Sequence, residues 1–189
     1  MNWVVLAVVA WVFAGLEVGL RAALSVGQSD VAPSFVFILF AFIALTGARP
    51  TVLWASVALG LLMDLLFEVA LKQGAGTVTA PGPHVLGFAL AAQLILAMRG
   101  MMIRRNPLTL AFLACLGAMV ANTTVVAIFT LRHLFGAPIA WETKAQLFAG
   151  FGSALYTGAL AFFLAFALFP MAGPLGLPNQ QSRRFAVRR

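Results

Sequence analysis

The chain has 189 residues, of which 62% are hydrophobic and 9% are charged, and its formal net charge is +7. A soluble domain is usually about 45–50% apolar and about 25% charged, so the composition excludes a soluble globular protein and predicts an integral membrane protein. The excess positive charge is then expected from Lys and Arg held on the cytoplasmic side. We therefore expect membrane lipids, and no nucleic acid, as partners.

Six segments fit membrane-crossing helices, which need about 20 mostly apolar residues. They lie near 3–22, 31–48, 51–70, 84–103, 107–131 and 145–171. No basic region precedes the first segment, which favours a membrane span over a cleaved signal peptide. The sequence predicts an all-α integral membrane protein, with a six-helix membrane domain over 1–172 and a flexible basic tail over 173–189.

Gly and Pro mark the predicted turns. Gly47 ends the second span and Pro50 begins the third, and Pro107 opens the fifth in the same way. The uncharged stretch 73–83, QGAGTVTAPGP, has turn chemistry and is read as a loop or a re-entrant segment.

Charge asymmetry predicts the orientation. With six spans, the side that holds both termini carries eight Lys and Arg residues, the other side carries four, and the two sets sum to the twelve in the chain. The eight are Arg49, Arg99, Arg104, Arg105, Arg183, Arg184, Arg188 and Arg189, and the four are Arg21, Lys72, Arg132 and Lys144. The positive-inside rule places both termini in the cytoplasm, unless 31–48 is only re-entrant, which would reverse the first span.

Five ionisable side chains are expected at one depth in the outer leaflet. At a rise of about 1.5 Å per residue, Asp64 lies about 20 Å along the third span, roughly two-thirds across a core of about 30 Å. Glu17 reaches nearly the same height on the first span. Arg21 and Glu68 lie one turn further out, and His84 opens the fourth span.

This polar layer has two interpretations. An acid at the bilayer centre costs about 2.5–3.5 kcal/mol on insertion scales, so Asp64 should face protein or water. Glu17 and Arg21 are spaced to pair along one helix. Asp64 and Glu68 stack as like charges, which favours Arg21 or His84 as a partner. The layer either contacts a partner protein or ligand, or supplies internal hydrogen bonds between three helices.

Small residues recur at four-residue spacing on the last two spans, and such ridges let helices approach closely. They are Gly150, Ala154 and Gly158 on the sixth, and Ala114, Ala118 and Asn122 on the fifth. They favour packing within the monomer, with a groove for a partner as the alternative.

Catalytic and metal-binding patterns are not expected. One Cys, two His and five acidic residues give no metal-ligand spacing such as HExxH. Ser153 is flanked by small residues and could pair with His84 or His133, but no nucleophile elbow surrounds it. We predict no enzymatic activity, no cofactor and no metal.

The segment GLLMDLLF, followed by a loop and GPHVLGFALAAQLILAMR, resembles the rod shape-determining protein MreD family. That family typically shows a Gly-Leu-Leu-x-Asp-Leu-Leu-like helix and then a Gly-x-His-x-Leu entry to the next helix. The matching positions are Gly60, Leu61, Leu62, Asp64, Leu65, Leu66, Gly82, His84 and Leu86, with Pro33 and Pro107 also fitting the pattern.

The resemblance implies a non-catalytic inner-membrane scaffold of the bacterial elongation machinery. Such a protein binds MreC and, through it, the MreB filament and the peptidoglycan synthase pair. The resemblance also implies a fold similar to the substrate-binding component of energy-coupling-factor vitamin transporters. The alternative is a substrate-binding membrane subunit that captures a small metabolite, with the polar layer as its ligand site.

Overall fold

Six helices make up most of residues 2–27, 30–71, 76–103 and 105–177, which the computed structural model describes. They are α1 (Trp3–Leu24), α2 (Phe35–Thr46), α3 (Arg49–Leu66), α4 (Pro83–Met98), α5 (Pro107–Leu134) and α6 (Thr143–Met171). A short antiparallel ribbon of β1 (Val69–Ala70) and β2 (Thr77–Val78) joins α3 to α4. The predicted predominantly helical architecture is confirmed.

Four of these helices, α1, α3, α5 and α6, are long and apolar enough to cross a membrane. The other two are shorter than their predicted spans. At about 1.5 Å per residue, the 12 residues of α2 and the 16 residues of α4 fall short of a hydrocarbon core of about 30 Å. Pro33 and Ser34 precede α2 as extended residues, and α4 ends where the chain turns at Arg99.

The helix α2 forms the centre of the fold and contacts the other five helices. Every residue from Val36 to Leu45 is at most 3% exposed. Neighbouring helices therefore cover α2 on all sides, so protein surrounds it along its length. Its C-terminal carbonyl groups are satisfied by Arg99, whose Nη1 donates to the carbonyl oxygens of Ala44 at 2.9 Å and Gly47 at 2.6 Å.

The ends of several elements follow the sequence signals. Asn106 caps α5 by accepting the N–H of Leu108 at 2.9 Å, with Pro107 as the first helical residue. In contrast, α3 ends at Leu66, so residues 67–70 leave the helix and enter the ribbon. The prediction of a helix to residue 70 was wrong at this end.

The predicted flexible tail, residues 173–189, begins with residues that pack against the helices, so the prediction of flexibility was wrong for this part. Leu175 is fully buried, and its carbonyl oxygen accepts the N–H of Asn2 at 3.0 Å. Residues 178–189 of that tail lie outside the described residues, as do Lys72, Arg104 and the 73–75 part of the predicted loop.

Candidate functional site

A cavity of about 430 Å³ lies between the C-terminal ends of α1 and α3 and the N-terminal ends of α2, α4 and α6. It is here called the outer cavity, after the orientation that the sequence predicts. Residues of all six helices line it. The predicted polar layer contributes Glu17, Arg21, Glu68 and His84 to its wall. The structure therefore brings residues from α1, α4 and the segment after α3 to one site.

Glu17 links α1 to the start of α2. Its Oε2 accepts hydrogen bonds from the Oγ of Ser34 at 3.2 Å and from the backbone N–H groups of Phe35 at 2.5 Å and Val36 at 3.2 Å. These N–H groups belong to the first turn of a helix and have no partner within it. The carboxylate also complements the positive end of the helix dipole.

Asp64 does the same for α4. Its carboxylate accepts the backbone N–H groups of Gly82 at 2.7 Å, His84 at 2.9 Å and Val85 at 3.4 Å. The Nδ1 of His84 lies 2.8 Å from Oδ1 of Asp64, and because a carboxylate oxygen only accepts, the ring donates to it from Nδ1. Asp64 is 1% exposed, and it faces protein.

Gly60 permits this contact between α3 and α4. A Cβ atom at Gly60 would lie 2.7 Å from the Cα and 2.9 Å from the backbone nitrogen of Val85. One turn later on α3, Asp64 reaches the N-terminus of α4. Gly60, Asp64, Gly82 and His84 therefore form one contact cluster.

Arg21 and Glu68 differ in their placement. The Nη1 of Arg21 lies 3.9 Å from Oε1 of Glu17, and its guanidinium carbon lies 4.3 Å from the ring centroid of Phe67. Glu68 lies beyond the end of α3 and accepts a hydrogen bond from Thr77 of β2. Since Glu68 is not helical, the expected stack of Asp64 and Glu68 on one helix does not form.

The outer side of the cavity is covered by two connections, here called the outer cover: residues 67–71 with 76–80, and residues 137–142. They pair through the N–H of Ala140 and the carbonyl oxygen of Ala70 at 2.9 Å, next to a bridge between Leu71 and Ile139. The sequence predicts a loop here but gives no signal for this pairing between two distant connections.

Trp141 anchors the outer cover to α5. Its ring centroid lies 4.9 Å from that of Phe129, and its Nε1 donates to the Oγ1 of Thr130 at 3.2 Å. Both Phe129 and Trp141 line the cavity. The cover is therefore held by an aromatic contact and a hydrogen bond.

The predicted small-residue ridges lie between α5 and α6. A Cβ at Gly158 would lie 2.7 Å from the Cβ of Cys115, and one at Gly150 would lie 3.1 Å from the Cβ of Asn122. The Nδ2 of Asn122 donates to the carbonyl oxygen of Gly150 at 2.8 Å. Ala114, Ala118 and Ala154 are buried. Packing within the monomer occupies these ridges, which leaves little of them for a partner.

The Ser and His residues considered for nucleophilic chemistry have other contacts. The Oγ of Ser153 accepts the N–H of Ala32 at 3.2 Å, and His84 is held by Asp64. His133 lies near the end of α5, with its Nδ1 buried and unpaired. Among the described residues, no group of three or more His, Cys, Asp or Glu is arranged to hold a metal ion.

Sequence reasoning did not foresee several residues that shape the site. The Oγ1 of Thr157 on α6 accepts the N–H of Ser34 at 3.0 Å, and Asp30 lines the cavity. Ser34 after Pro33 is a helix-start signal that could have been read from the sequence. Contacts from α6 to the loop before α2 carry no such local signal.

Comparison with known proteins adds no relative. No protein-family model, curated protein or solved structure matches the chain.

Proposed function

We propose that the chain is a non-catalytic scaffold of the MreD type in the bacterial inner membrane. In this role it binds an MreC-like single-span protein and helps organise peptidoglycan synthesis with an MreB-like filament and the synthase pair. The observation that carries the proposal is the contact cluster of Gly60, Asp64, Gly82 and His84. The residues on which the family resemblance rests depend on one another physically, as residues of a shared structural motif should.

The proposed topology has six crossings with both termini in the cytoplasm. The N-terminus of α2 meets Glu17 near the outer end of α1, and its C-terminus meets Arg99, which lies at the inner end of α4 in this orientation. Although α2 is short, the described residues 30–34 extend its passage toward the outer side. This arrangement supports a crossing in preference to a re-entrant segment.

The outward face of α1 is the proposed contact with the partner's transmembrane helix. Ala7, Gly15, Gly19 and Ala23 are exposed small residues on one four-residue ridge of this face, which the bulky Trp11 interrupts. A Cβ at Gly15 or Gly19 would meet nothing within 4 Å. Small residues four apart let a second helix approach closely in a membrane, and the ridges of α5 and α6 are already filled.

Bulky substitutions on α1 test the contact. We expect Gly15→Leu and Gly19→Leu to reduce co-purification with the MreC-like protein of the same bacterium by about tenfold or more, since each places a side chain where the partner backbone would lie. Ala159→Leu adds bulk to an exposed position of α6 and serves as the matched control. Undiminished co-purification with both Gly variants would reject this face as the contact.

The outer cavity favours a second candidate function, a substrate-binding subunit of a small-metabolite transporter. Its volume of about 430 Å³ is within the usual range of small-molecule sites, about 300–1,000 Å³. Purification from native membranes separates the candidates. Co-purifying ATPase subunits would support the transporter, whereas a coiled-coil single-span protein would support the scaffold.

A further inference from the structure

We propose that the outer cavity binds a small organic cation, a molecule with an ammonium group and an apolar body, whose ammonium donates to Oε1 of Glu17. This inference goes beyond the proposed scaffold role. It does not require the contact on α1, so the two can fail separately.

The Oε1 atom of Glu17 is the first reason. Glu17 is 1% exposed and lines the cavity. Its Oε2 takes all three hydrogen bonds from Ser34, Phe35 and Val36, whereas Oε1 is buried and accepts none. A buried acceptor without a donor carries a desolvation penalty, which a donor in the cavity would relieve.

The charge of the lining is the second reason. Among the described residues, three carboxylates, those of Glu17, Asp30 and Glu68, line the cavity with one guanidinium, that of Arg21. Arg21 lies 3.9 Å from Oε1, too far for a hydrogen bond, and stacks on Phe67. The described lining is therefore net negative, which suits a cation better than an anion, and a ligand ammonium would take the hydrogen-bond donor position that Arg21 leaves unfilled at Oε1.

The apolar lining is the third reason. Phe37 and Phe88 from α2 and α4 form one wall, with ring centroids 5.0 Å apart, and Phe129 of α5 and Trp141 of the outer cover form another aromatic surface. Aromatic faces attract organic cations, with stronger attraction where water is excluded. The cavity thus combines a carboxylate oxygen with aromatic surfaces for an apolar body.

Fluorescence of Trp141 provides the test. Trp3, Trp11 and Trp54 are at least 50% exposed on the outside of the helices, so replacing them by Phe leaves Trp141 as the sole reporter. The purified full chain is titrated with 2-phenylethylammonium and, separately, with 3-phenylpropanoate. We expect a saturable change with the ammonium at concentrations at least tenfold lower than any change with the carboxylate. Equal or stronger binding of the carboxylate, or no saturable ammonium binding, overturns the proposal.

Charge variants locate the anchoring group. Glu17→Gln should weaken ammonium binding by about tenfold or more, as expected for a lost hydrogen bond to a charged group. Glu142→Gln makes the same change at an exposed acid outside the cavity lining and should leave binding unchanged. If Glu17→Gln binds as well as the parent chain, the proposal fails.

Arg21→Gln keeps the test decisive if Glu17→Gln does not fold. Because Arg21 is half-exposed and supplies the guanidinium of the lining, its removal should strengthen ammonium binding several-fold by ending charge repulsion. Weaker or unchanged binding contradicts a cation site. Gly15→Leu, made in the same background, should leave ammonium binding unchanged, which separates this inference from the proposed partner contact.

Discussion

The two most buried acidic side chains, Glu17 and Asp64, perform the same task in successive helix pairs. Glu17 on α1 caps α2, and Asp64 on α3 caps α4. Backbone N–H groups at a helix start need partners, and an unsatisfied polar group in an apolar medium is costly. Each carboxylate supplies several acceptor positions at once and a charge that complements the helix dipole. Both acids therefore stabilise the helix bundle by capping the N-terminus of a neighbouring helix.

Replacing Asp64 by Leu should destabilise the fold strongly. The change strands the N–H groups of Gly82, His84 and Val85, and each unsatisfied group costs about 1–3 kcal/mol, so we expect a loss of about 2–4 kcal/mol after partial relaxation. Thermal unfolding in detergent, followed by intrinsic fluorescence, measures the effect. Asp30→Leu makes the same substitution at an exposed loop residue and should change the midpoint little. Equal midpoints for the two variants would contradict the capping role.

Depth counting from the sequence predicts one outer-leaflet layer of five residues, and the structure places all of them around one end of the bundle: Glu17, Arg21, Asp64, Glu68 and His84. The apolar composition of the spans and the rise of about 1.5 Å per residue in a helix are enough to predict this common depth. The hydrogen bonds to backbone N–H groups were not predictable, because a cap supplied by a neighbouring helix has no fixed spacing in the chain. The Glu17–Ser34 contact, for example, spans a connection whose path depends on α6.

At the scale of elements, α2 shows what a hydrophobic sequence pattern cannot distinguish. Its sequence, FVFILFAFIALT, is apolar on every side, which fits both a membrane span and a helix buried in protein. The packing of the other five helices, which the sequence of α2 does not reveal, shows that α2 is buried in protein. Similarly, no breaker marks the end of α3 at Leu66, because Phe67 and Val69 continue its apolar run. The ribbon pairing and the cover formed with residues 137–142 override that local tendency.

Two glycines in helices should respond to Ala in opposite ways. Gly60→Ala places a Cβ 2.7 Å from the Cα of Val85, and since backbone must move, we expect a loss of about 1–3 kcal/mol. Gly15→Ala meets nothing within 4 Å and should be neutral or stabilising by up to about 1 kcal/mol, because Ala favours the helix. Thermal unfolding of both variants in one detergent checks this. A Gly60→Ala chain as stable as Gly15→Ala would show that α3 and α4 are less tightly packed than described.

For the whole molecule, composition alone predicts membrane-crossing helices, and the structure describes four helices that are long and apolar enough to cross a membrane. In the proposed six-crossing topology, all acidic residues are on one side of the membrane and most basic residues are assigned to the other. The five acids of the chain, Glu17, Asp30, Asp64, Glu68 and Glu142, all lie toward the outer side. Of the eight Arg residues counted on the side of the termini, the described Arg49, Arg99 and Arg105 lie toward the inner side. This division holds only if α2 and its preceding connection make a full crossing.

Thiol labelling of intact cells tests the crossing and the orientation of α5 in that topology. In a Cys115→Ala background, Lys144→Cys at the exposed start of α6 should react with a membrane-impermeant maleimide, because the α5–α6 connection is on the outer side. Gly100→Cys, in the exposed turn after α4, should react only after the membrane is opened, because Arg99 and Arg105 hold that turn in the cytoplasm. The reverse pattern would invert the orientation and move the outer cavity to the cytoplasmic side. Labelling of both sites in intact cells would show that the segment between them does not separate two sides of a membrane, and the six-crossing topology would fail.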